Sequence, residues 1–217
     1  MRRDNFGVRK KEEFMPNPAG TCLVMLSGGV DSAVLLYEQL ASGEKPVAMT
    51  RATKAREVEA AKQIADLAGV PHIILNPREE AQRLFDSAIF ERMDPRDHLG
   101  PGAFPHICSL ADSLAFAALF SIPKVLWGWR RSEMHPLEQP DIFPDYLAYI
   151  SLHSSLRQCP TIEAPFFEWT KNMVLETGSK LGVPLHYTFS CIKDQSEPCG
   201  DCRRCVEREA AFREAGY

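Results

Sequence analysis

Six consecutive residues have the types and spacing needed to bind a phosphate group: Ser27-Gly28-Gly29-Val30-Asp31-Ser32. The apolar run at 21–26 predicts a buried strand before them, and the spacing at 32–42 predicts a helix after them. The N–H groups of such a turn and the dipole of the helix attract anions. The two glycines let the backbone approach phosphate oxygens closely, and the two serines offer hydroxyl donors. The segment therefore predicts a phosphate cradle, and the alternative is a plain glycine turn between a strand and a helix.

The acidic residue of this segment predicts a cation. A carboxylate beside phosphate groups needs a positive partner, so the expected role of Asp31 is to hold Mg²⁺ next to pyrophosphate. The patterns GxxxxGK[ST] and GxGxxG are both absent. The pattern SGGxDS after a first strand instead resembles the PP-loop ATP pyrophosphatases, which form AMP and pyrophosphate. The resemblance implies that Ser27–Ser32 binds ATP and that Asp31 and Ser32 take part in catalysis.

A second positive group is predicted at the start of a late helix. The helical pattern at 170–181 opens with Thr170-Lys171. Many PP-loop enzymes have a Thr-Lys pair here whose amine meets the phosphates, so the resemblance implies a catalytic role for Lys171. The alternative is an exposed lysine in the first turn of a helix.

Four of the seven cysteines lie near the end of the chain at the spacing of metal ligands. The series is Cys191-x7-Cys199-x2-Cys202-x2-Cys205, and Pro198 and Gly200 allow a tight turn within it. Four thiolates favour a closed, structural Zn²⁺ site. An iron–sulfur cluster is the main alternative, because C-x2-C-x2-C also occurs in such sites.

The segments that must position these groups alternate between short apolar runs and helical patterns. Strands are predicted at 21–26, 45–50, 71–76 and 124–129, and helices at 32–42, 56–69, 79–92, 109–120, 143–156 and 170–181. Residues 98–105, rich in Gly and Pro, are predicted to form a loop. The alternation predicts an α/β fold with a parallel sheet sandwiched by helices. We expect an extension at 1–19, a PP-loop domain at 20–187 and a zinc segment at 188–217.

From residue 21 onward, the sequence resembles the QueC family, the 7-cyano-7-deazaguanine synthases. The phosphate motif alone indicates only the PP-loop superfamily. The cysteine series narrows the resemblance from that superfamily to the QueC family. Further similar residues follow the order of that family: Ala164-Pro165, Thr170-Lys171, 181–185 (LGVPL), 188–191 (TFSC), 198–200 (PCG), Arg208, Phe212 and Gly216.

The QueC resemblance implies a ligase reaction. ATP adenylates the carboxylate of 7-carboxy-7-deazaguanine, and ammonia attacks the adenylate to give an amide. A second ATP activates the amide oxygen, and loss of AMP leaves a nitrile. The implied cofactors are ATP, Mg²⁺ and Zn²⁺, and a homodimer is implied because relatives commonly dimerise.

Three segments on the substrate side depart from the family pattern. The family has a Tyr-Gly-Gln stretch where this chain has 50–56 (TRATKAR), and a Pro-Gly-Arg-Asn stretch where it has 105–110 (PHICSL). An Asp-rich, Gly-Tyr-Pro segment is replaced by 129–145. These departures motivate the hypothesis that the acceptor is a protein or peptide amine, giving a deazaguanine conjugate. Relatives of this kind occur in bacterial antiviral gene clusters, so a role in antiviral defence is an alternative to queuosine biosynthesis.

Recognition of the acid is predicted just past the strand at 124–129, where open α/β sheets bind ligands. Arg130 and Arg131 can pair with a carboxylate, and Trp127 or Trp129 can stack on a purine-like ring. His106 can relay protons. The alternatives are surface ion pairs for the arginines and core positions for the tryptophans.

The composition disfavours several other classes. A chain of 217 residues with 45% hydrophobic and 25% charged residues is ordinary for a globular protein. No apolar run reaches the roughly 18 residues of a membrane span, so no membrane partner is expected. The start of the chain lacks the apolar core of a secretory signal, which predicts a cytoplasmic location. A net charge of −4 argues against a nucleic-acid partner.

Two other function classes remain open. One is a tRNA-modifying PP-loop enzyme such as a thiolase, because Cys108 lies after a proline where some of those enzymes keep a sulfur-carrying cysteine. The other is a catalytically idle binding module that has kept the fold.

Overall fold

The computed structural model describes residues 19–52, 54–76, 103–133, 160–193 and 195–216, with side chains from 109 to 132 in the third range. Within these ranges the strands are β1 Cys22–Met25, β2 Pro46–Arg51, β3 His72–Leu75, β4 Lys124–Leu126 and β5 Thr161–Glu163. The helices are α1 Val30–Ala41, α2 Ala55–Ala68, α3 Ala103–Leu119, α4 Lys171–Lys180 and α5 Arg203–Glu214. Short 3₁₀ turns lie at Arg131–Glu133 and Leu185–Tyr187.

All five strands form one parallel sheet in the order β3-β2-β1-β4-β5. In the centre, Leu23 of β1 lies beside Val47 of β2 on one side and Val125 of β4 on the other. The order reverses direction at β1, since the chain moves outward through β2 and β3 and then returns to β4. The carboxyl ends of β1 and β4 therefore border the crevice in which open α/β sheets bind ligands.

Alternate residues of β1 enter the two faces of the sheet, as the twofold repeat of a strand requires. Cys22 and Val24 join a core with residues of α1, α2, α4 and α5. Leu23 and Met25 join a second core with α3. Helices thus cover both faces, which explains why β1 is apolar at every position. The predicted α/β fold with a helix-covered parallel sheet is confirmed.

Most predicted elements are present within about two residues of their predicted ends. Two boundaries are wrong: α3 begins at residue 103 inside the predicted loop, and β4 ends at Leu126 rather than at residue 129. Pro105 is tolerated because a proline in the first helical turn gives up an N–H that has no intrahelical acceptor. Among the strands and α-helices of the described residues, β5 and α5 have no counterpart in the predictions.

The predicted helices at 79–92 and 143–156 lie outside the described residues, as does most of the predicted extension at 1–19. The three-part division of the chain remains a prediction. Among the described residues, no helix is both long enough and apolar enough to cross a membrane.

Candidate functional site

The predicted phosphate cradle lies at the switch point of the sheet. Residues 27–29 leave the end of β1, and α1 begins directly afterwards at Val30. The segment after β4, at 127–130, passes beside the start of α1. A Cβ added to Gly128 would lie 3.0–3.2 Å from backbone atoms of Asp31 and Ser32, so only glycine permits this approach without a shift. Two connections of the sheet therefore converge on the first turn of α1.

Hydrogen bonds within the cradle hold its two serines together. The hydroxyl of Ser32 accepts from the backbone N–H of Ser27 at 3.1 Å and donates to the carbonyl of Gly29 at 3.1 Å. The two hydroxyl oxygens are also 3.1 Å apart, and the N–H of Gly29 donates to the Ser27 hydroxyl at 3.3 Å. Ser32 is buried, whereas Ser27 is exposed. Of the two hydroxyls, that of Ser27 is therefore the one presented to a ligand.

Gly28 has the backbone conformation that sets the cradle. Its φ of +82° lies in the left-handed region that glycine favours. An added Cβ would also lie closer than 3.0 Å to the backbone carbonyl oxygen of Glu57 and 3.1 Å from the N of Ala61. Both the turn and the contact with α2 thus require glycine at this position. Gly29 is different, since its nearest contact for an added Cβ is 3.4 Å away.

Two positive side chains hold the carboxylate of Asp31. The ammonium of Lys171 donates to Oδ2 at 2.6 Å, and Nε of Arg130 donates to Oδ1 at 2.9 Å. The side chains of Asp31, Lys171 and Arg130 are 14%, 20% and 5% exposed. Partial burial strengthens these charged hydrogen bonds relative to pairs in open water. The three groups together have a net charge of one positive unit beside the cradle.

The sequence prediction for Lys171 depends on the start of α4. The hydroxyl of Thr170 caps this helix by accepting from the N–H of Met173 at 3.3 Å. The cap fixes the first turn, from which Lys171 reaches across to Asp31. The structure therefore brings all the predicted ATP-site residues together with Lys171.

Arg130 is part of this cluster, although the sequence suggested either acid recognition or a surface ion pair for it. Its Nη1 also donates to the hydroxyl of Ser132 at 2.8 Å. Asp31 and Arg130 are 99 positions apart in the chain. The one local signal was Gly128, whose lack of a side chain lets the segment after β4 approach α1.

The remaining acid-side candidates lie around the same strand end. Trp127 is 7% exposed within the α3-side core, and its ring centroid is 4.0 Å from that of the partly exposed Trp129. Arg131 forms an ion pair with Glu168 at 2.5 Å and lies over the ring of Phe167 at 4.8 Å. The side chains of His106 and Cys108 lie outside the described residues.

The four predicted cysteine ligands form one cluster. Their sulfurs all lie within 4.8 Å of one another, with Cys199 Sγ 3.5 Å from Cys191 Sγ and 3.9 Å from Cys205 Sγ. A tetrahedral Zn²⁺ with Zn–S bonds of about 2.3 Å sets its sulfurs about 3.8 Å apart. The observed spacing therefore fits a single ion.

Local backbone structure aims these thiols at one point. Gly200 has a φ of +75°, and Cys202 is the N-cap residue of α5, accepting from the N–H of Cys205 at 3.4 Å. Burial disfavours ionisation of Cys202, but hydrogen bonds from the backbone at Ile192 and Cys205 lower the pKa of its thiol to about 6. The hydrogen bond with Asp201 raises the pKa of the Cys199 thiol, and burial raises the pKa of the Cys205 thiol. The thiolate character that favours metal binding is therefore not uniform across the four thiols.

The cysteine cluster is joined directly to the phosphate cradle. The N–H of Phe189 donates to the carbonyl of Gly28 at 2.8 Å, two residues before Cys191. The ammonium of Lys54, just before α2, contacts the carbonyl of Cys191 at 3.4 Å. Phe189 itself is buried with Ala60, Cys191 and Cys205 in a small apolar cluster. The segment at 189–191, which leads into the cysteine cluster, therefore packs directly behind the cradle.

Comparisons with known proteins agree with this arrangement. A family model described as "Queuosine biosynthesis protein QueC" matches residues 21–216. The 7-cyano-7-deazaguanine synthase of Trichodesmium erythraeum is 29% identical over 217 residues, covering 89% of this chain and 96% of that protein. The protein of the same name from Synechococcus elongatus is 30% identical and covers 90% and 91% of the two chains.

Solved structures share the fold at lower sequence similarity. The NMN synthetase of Francisella tularensis superimposes with a TM-score of 0.54 at 15% identity, covering 94% of this chain and 89% of that one. At that identity the match establishes the architecture alone.

Proposed function

The chain belongs to the QueC family of queuosine biosynthesis proteins, and from this membership we propose that it is an ATP-dependent ligase acting on 7-carboxy-7-deazaguanine or a close relative. Two homologues that align over about nine-tenths of this chain are named 7-cyano-7-deazaguanine synthases. The proposed reaction joins the carboxylate of the substrate to an amine and forms AMP and pyrophosphate.

The first proposed step is adenylation. A carboxylate oxygen attacks the α-phosphorus of ATP, and the bond between that phosphorus and the oxygen bridging to the β-phosphorus breaks. The electron pair leaves with pyrophosphate, and an acyl adenylate remains. This step is needed because a carboxylate has no leaving group that an amine can displace at neutral pH.

The second step transfers the acyl group to nitrogen. The nitrogen lone pair of ammonia attacks the acyl carbon, AMP leaves with the electron pair of the acyl–oxygen bond, and a proton is lost to give the amide. Formation of a nitrile then requires a second ATP. The amide oxygen attacks its α-phosphorus and pyrophosphate leaves, and the O-adenylated amide then loses AMP and its two N–H protons.

The observation that carries the proposal is the group of charges beside the cradle. Positive groups stabilise a leaving pyrophosphate when they are already fixed in place before the reaction. Asp31 holds Lys171 and Arg130 at the first turn of α1, directly after the cradle glycines. We assign Ser27–Ser32 to the β- and γ-phosphates of ATP, and Lys171 to the charge that develops on pyrophosphate.

Mg²⁺ is the proposed counter-ion of the phosphates. It supplies positive charge to the departing pyrophosphate when bound. Asp31 is the residue that would hold it. The two oxygens of a carboxylate have more lone pairs than the two hydrogen bonds of Asp31 use. Asp31 can therefore bind a metal ion while keeping one of its positive partners.

Zn²⁺ is the proposed occupant of the cysteine cluster. The close spacing of the four sulfurs supports a single ion over an iron–sulfur cluster, whose cysteines bind different iron atoms and lie farther apart. We assign this metal a structural role, because all four ligands come from the protein and leave no open position for a substrate.

The proposed acid site lies beyond the end of β4. Trp129 has the more accessible ring of the tryptophan pair, and we assign it to stacking on the deazapurine while Trp127 supports it from the core. Arg131 is the proposed partner of the substrate carboxylate. The substrate would replace the side chain of Glu168, which pairs with Arg131 in this structure. His106 remains a proposed proton relay.

The acceptor amine separates two forms of the proposal. With ammonia, the product is an amide or nitrile within queuosine biosynthesis. With a protein or peptide amine, it is a deazaguanine conjugate, as the departures at 50–56 and 129–145 suggest, and a role in antiviral defence follows. A cytoplasmic location and a homodimer are further predictions of the family resemblance.

Product mass distinguishes these forms. The purified protein is incubated with 7-carboxy-7-deazaguanine, ATP, Mg²⁺ and ammonium chloride, and the products are analysed by mass spectrometry. Loss of two waters relative to acid plus ammonia identifies the nitrile, and loss of one identifies the amide. Efficient nitrile formation would make the altered-acceptor form unnecessary. Recovery of the unreacted acid with intact ATP would contradict the ammonia-dependent form, and the same assay with a peptide amine then tests the conjugate form.

A further inference from the structure

We propose that Arg130 is a positioning residue of the phosphate site, acting through the carboxylate of Asp31 rather than on the organic acid. The inference rests on the proposed function, because it assigns a residue to the ATP end of that reaction. It differs from the role that its position after β4 suggests, which is recognition of the substrate carboxylate.

Burial is the first observation that supports this role. The side chain of Arg130 is 5% exposed, whereas that of its neighbour Arg131 is 37% exposed. A guanidinium at this depth is stable only with a fixed negative or polar partner. Asp31 and Ser132 are such partners, at 2.9 and 2.8 Å.

The segment that carries Arg130 is fixed on both sides. Before it, Gly128 passes so close to α1 that an added Cβ would come within 3.0–3.2 Å of the backbone of Asp31 and Ser32. After it, the N–H of Arg131 donates to the carbonyl of Phe167 at 2.7 Å. The guanidinium is therefore delivered to Asp31 by a segment with little freedom to move, which is the condition for preorganisation.

The geometry at Asp31 gives Lys171 and Arg130 different roles. Lys171 binds Oδ2 and Arg130 binds Oδ1, so each carboxylate oxygen has one positive partner. If Lys171 shifts to the incoming phosphates, Arg130 alone keeps the carboxylate oriented and its Oδ2 available to Mg²⁺. Without Arg130, the carboxylate would rotate with Lys171, and Mg²⁺ would bind to a less ordered ligand.

Pyrophosphate with Mg²⁺ is the direct probe of this role, because its binding requires neither the acid nor the amine. Isothermal titration is performed on the wild type, Arg130→Gln, Arg130→Lys and Arg213→Gln. The last is a matched control, since Arg213 pairs with Glu209 on the exposed side of α5. We expect Arg130→Gln to weaken binding by about tenfold and to raise the Mg²⁺ concentration required, as loss of a charged hydrogen bond predicts. Arg130→Lys should recover part of the affinity, and Arg213→Gln should bind like the wild type.

A double-variant cycle tests whether Arg130 acts through Asp31. In the Asp31→Asn background, Arg130→Gln should add less than about a twofold further loss, because coupled residues are not additive. The proposal is overturned if Arg130→Gln binds pyrophosphate like the Arg213→Gln control. It is equally overturned if the loss is as large in the Asp31→Asn background as in the wild type. Thermal unfolding of each variant checks folding, and if the Gln variant is unfolded, Arg130→Lys is compared in the two backgrounds under the same criteria.

Failure of this inference is distinguishable from failure of the proposed function. If the wild type binds pyrophosphate and forms AMP but Arg130→Gln behaves like the control, only the role of Arg130 is lost. If the wild type binds pyrophosphate without ever forming AMP from ATP, the proposed ligase reaction fails instead.

Discussion

The backbone N–H of Phe189 donates a hydrogen bond of 2.8 Å to the carbonyl oxygen of Gly28. One partner belongs to the segment that leads into the cysteine cluster, and the other is the glycine whose positive φ shapes the phosphate cradle. A main-chain hydrogen bond therefore joins the cysteine-bearing segment to the phosphate cradle, and a change at the cysteines is expected to reach the phosphates.

Removal of the metal is predicted to weaken phosphate binding. Without an ion, four clustered thiols lose the constraint that holds the segment at 189–205, and Phe189 loses its fixed position against Gly28. Chelation should lower the thermal unfolding midpoint and reduce Mg²⁺-pyrophosphate affinity, and re-addition of Zn²⁺ should restore both. The chelator is removed before the titration so that Mg²⁺ is not depleted. Metal release with unchanged pyrophosphate affinity would show that the two segments are not coupled.

Gly28→Ala is predicted to weaken phosphate binding, whereas the same glycine-to-alanine change outside the cradle is predicted to leave it unchanged. Gly43→Ala is the matched control, because Gly43 also has positive φ, +80°, but an added Cβ there meets nothing within 4 Å. Both variants should lose about 1–2 kcal/mol from the left-handed backbone. Only Gly28→Ala should also clash with the backbone of Glu57 and lose pyrophosphate binding. Calorimetric titration measures the binding of each variant, and urea unfolding measures its stability. Equal effects of the two changes on binding would argue against a specific role for Gly28.

Asp31→Asn is predicted to reduce AMP formation by about 100-fold or more, a typical loss for a fixed electrostatic group. The amide can no longer neutralise Lys171 and Arg130 or act as a charged ligand for Mg²⁺. Glu209→Gln, which removes an exposed carboxylate on α5, is the control and should leave the rate unchanged. The rates are measured by chromatography of the nucleotides, with circular dichroism as the check on folding. An Asp31→Asn variant that retained the wild-type rate would remove Asp31 from the mechanism.

Protein stability is predicted to fall on mild acidification because of His72. Burial lowers the pKa of this imidazole below its usual value. Nε2 lies 2.7 Å from the hydroxyl of Thr50, which itself donates to the carbonyl of Leu26 at 2.5 Å. Below about pH 6.5 the unfolded chain binds a proton that the folded chain does not, so the free energy of unfolding decreases until the folded pKa is reached.

Urea unfolding at pH 7.5 and 5.5 checks this prediction. The wild type should lose stability between these values at up to about 1.4 kcal/mol per pH unit from this one group. In His72→Gln that part of the loss should be absent. An identical pH dependence in the two proteins would mean that other groups cause it.

Local sequence patterns predicted the glycine turn between β1 and α1, the clustering of the four cysteines and the central strands, because each is built from residues that are close in sequence. The apolar run before Gly28 and the spacing from Cys191 to Cys205 need no knowledge of the rest of the chain. The contact between Asp31 and Arg130 was not predictable in this way, because it depends on how β4 returns beside β1. The sequence suggested that Arg130 recognises an organic acid, but it could not predict the ion pair between Arg130 and Asp31.

The missed elements have equally physical reasons. The strand Thr161–Glu163 has three residues and a single buried side chain, so it leaves no alternating pattern to detect. In α5, Cys205 and Ala211 are the buried residues on an otherwise highly charged helix. The helix is held by the cysteine cluster and by Arg208, which donates to the hydroxyl of Thr188 at 2.5 Å and the carbonyl of Leu185 at 3.1 Å. Its stability thus derives from tertiary contacts rather than from an apolar stripe.

The most direct test of the central claim is the identity of the nucleotide formed when the protein meets its acid. Purified protein is incubated with ATP, Mg²⁺ and 7-carboxy-7-deazaguanine, with and without an amine, and the nucleotides and phosphates are quantified. Cleavage between the α- and β-phosphates predicts AMP and pyrophosphate in equal amounts, with a rate that depends on the acid. Formation of ADP and inorganic phosphate, or ATP left intact with deazapurine acids and every amine tested, would contradict it.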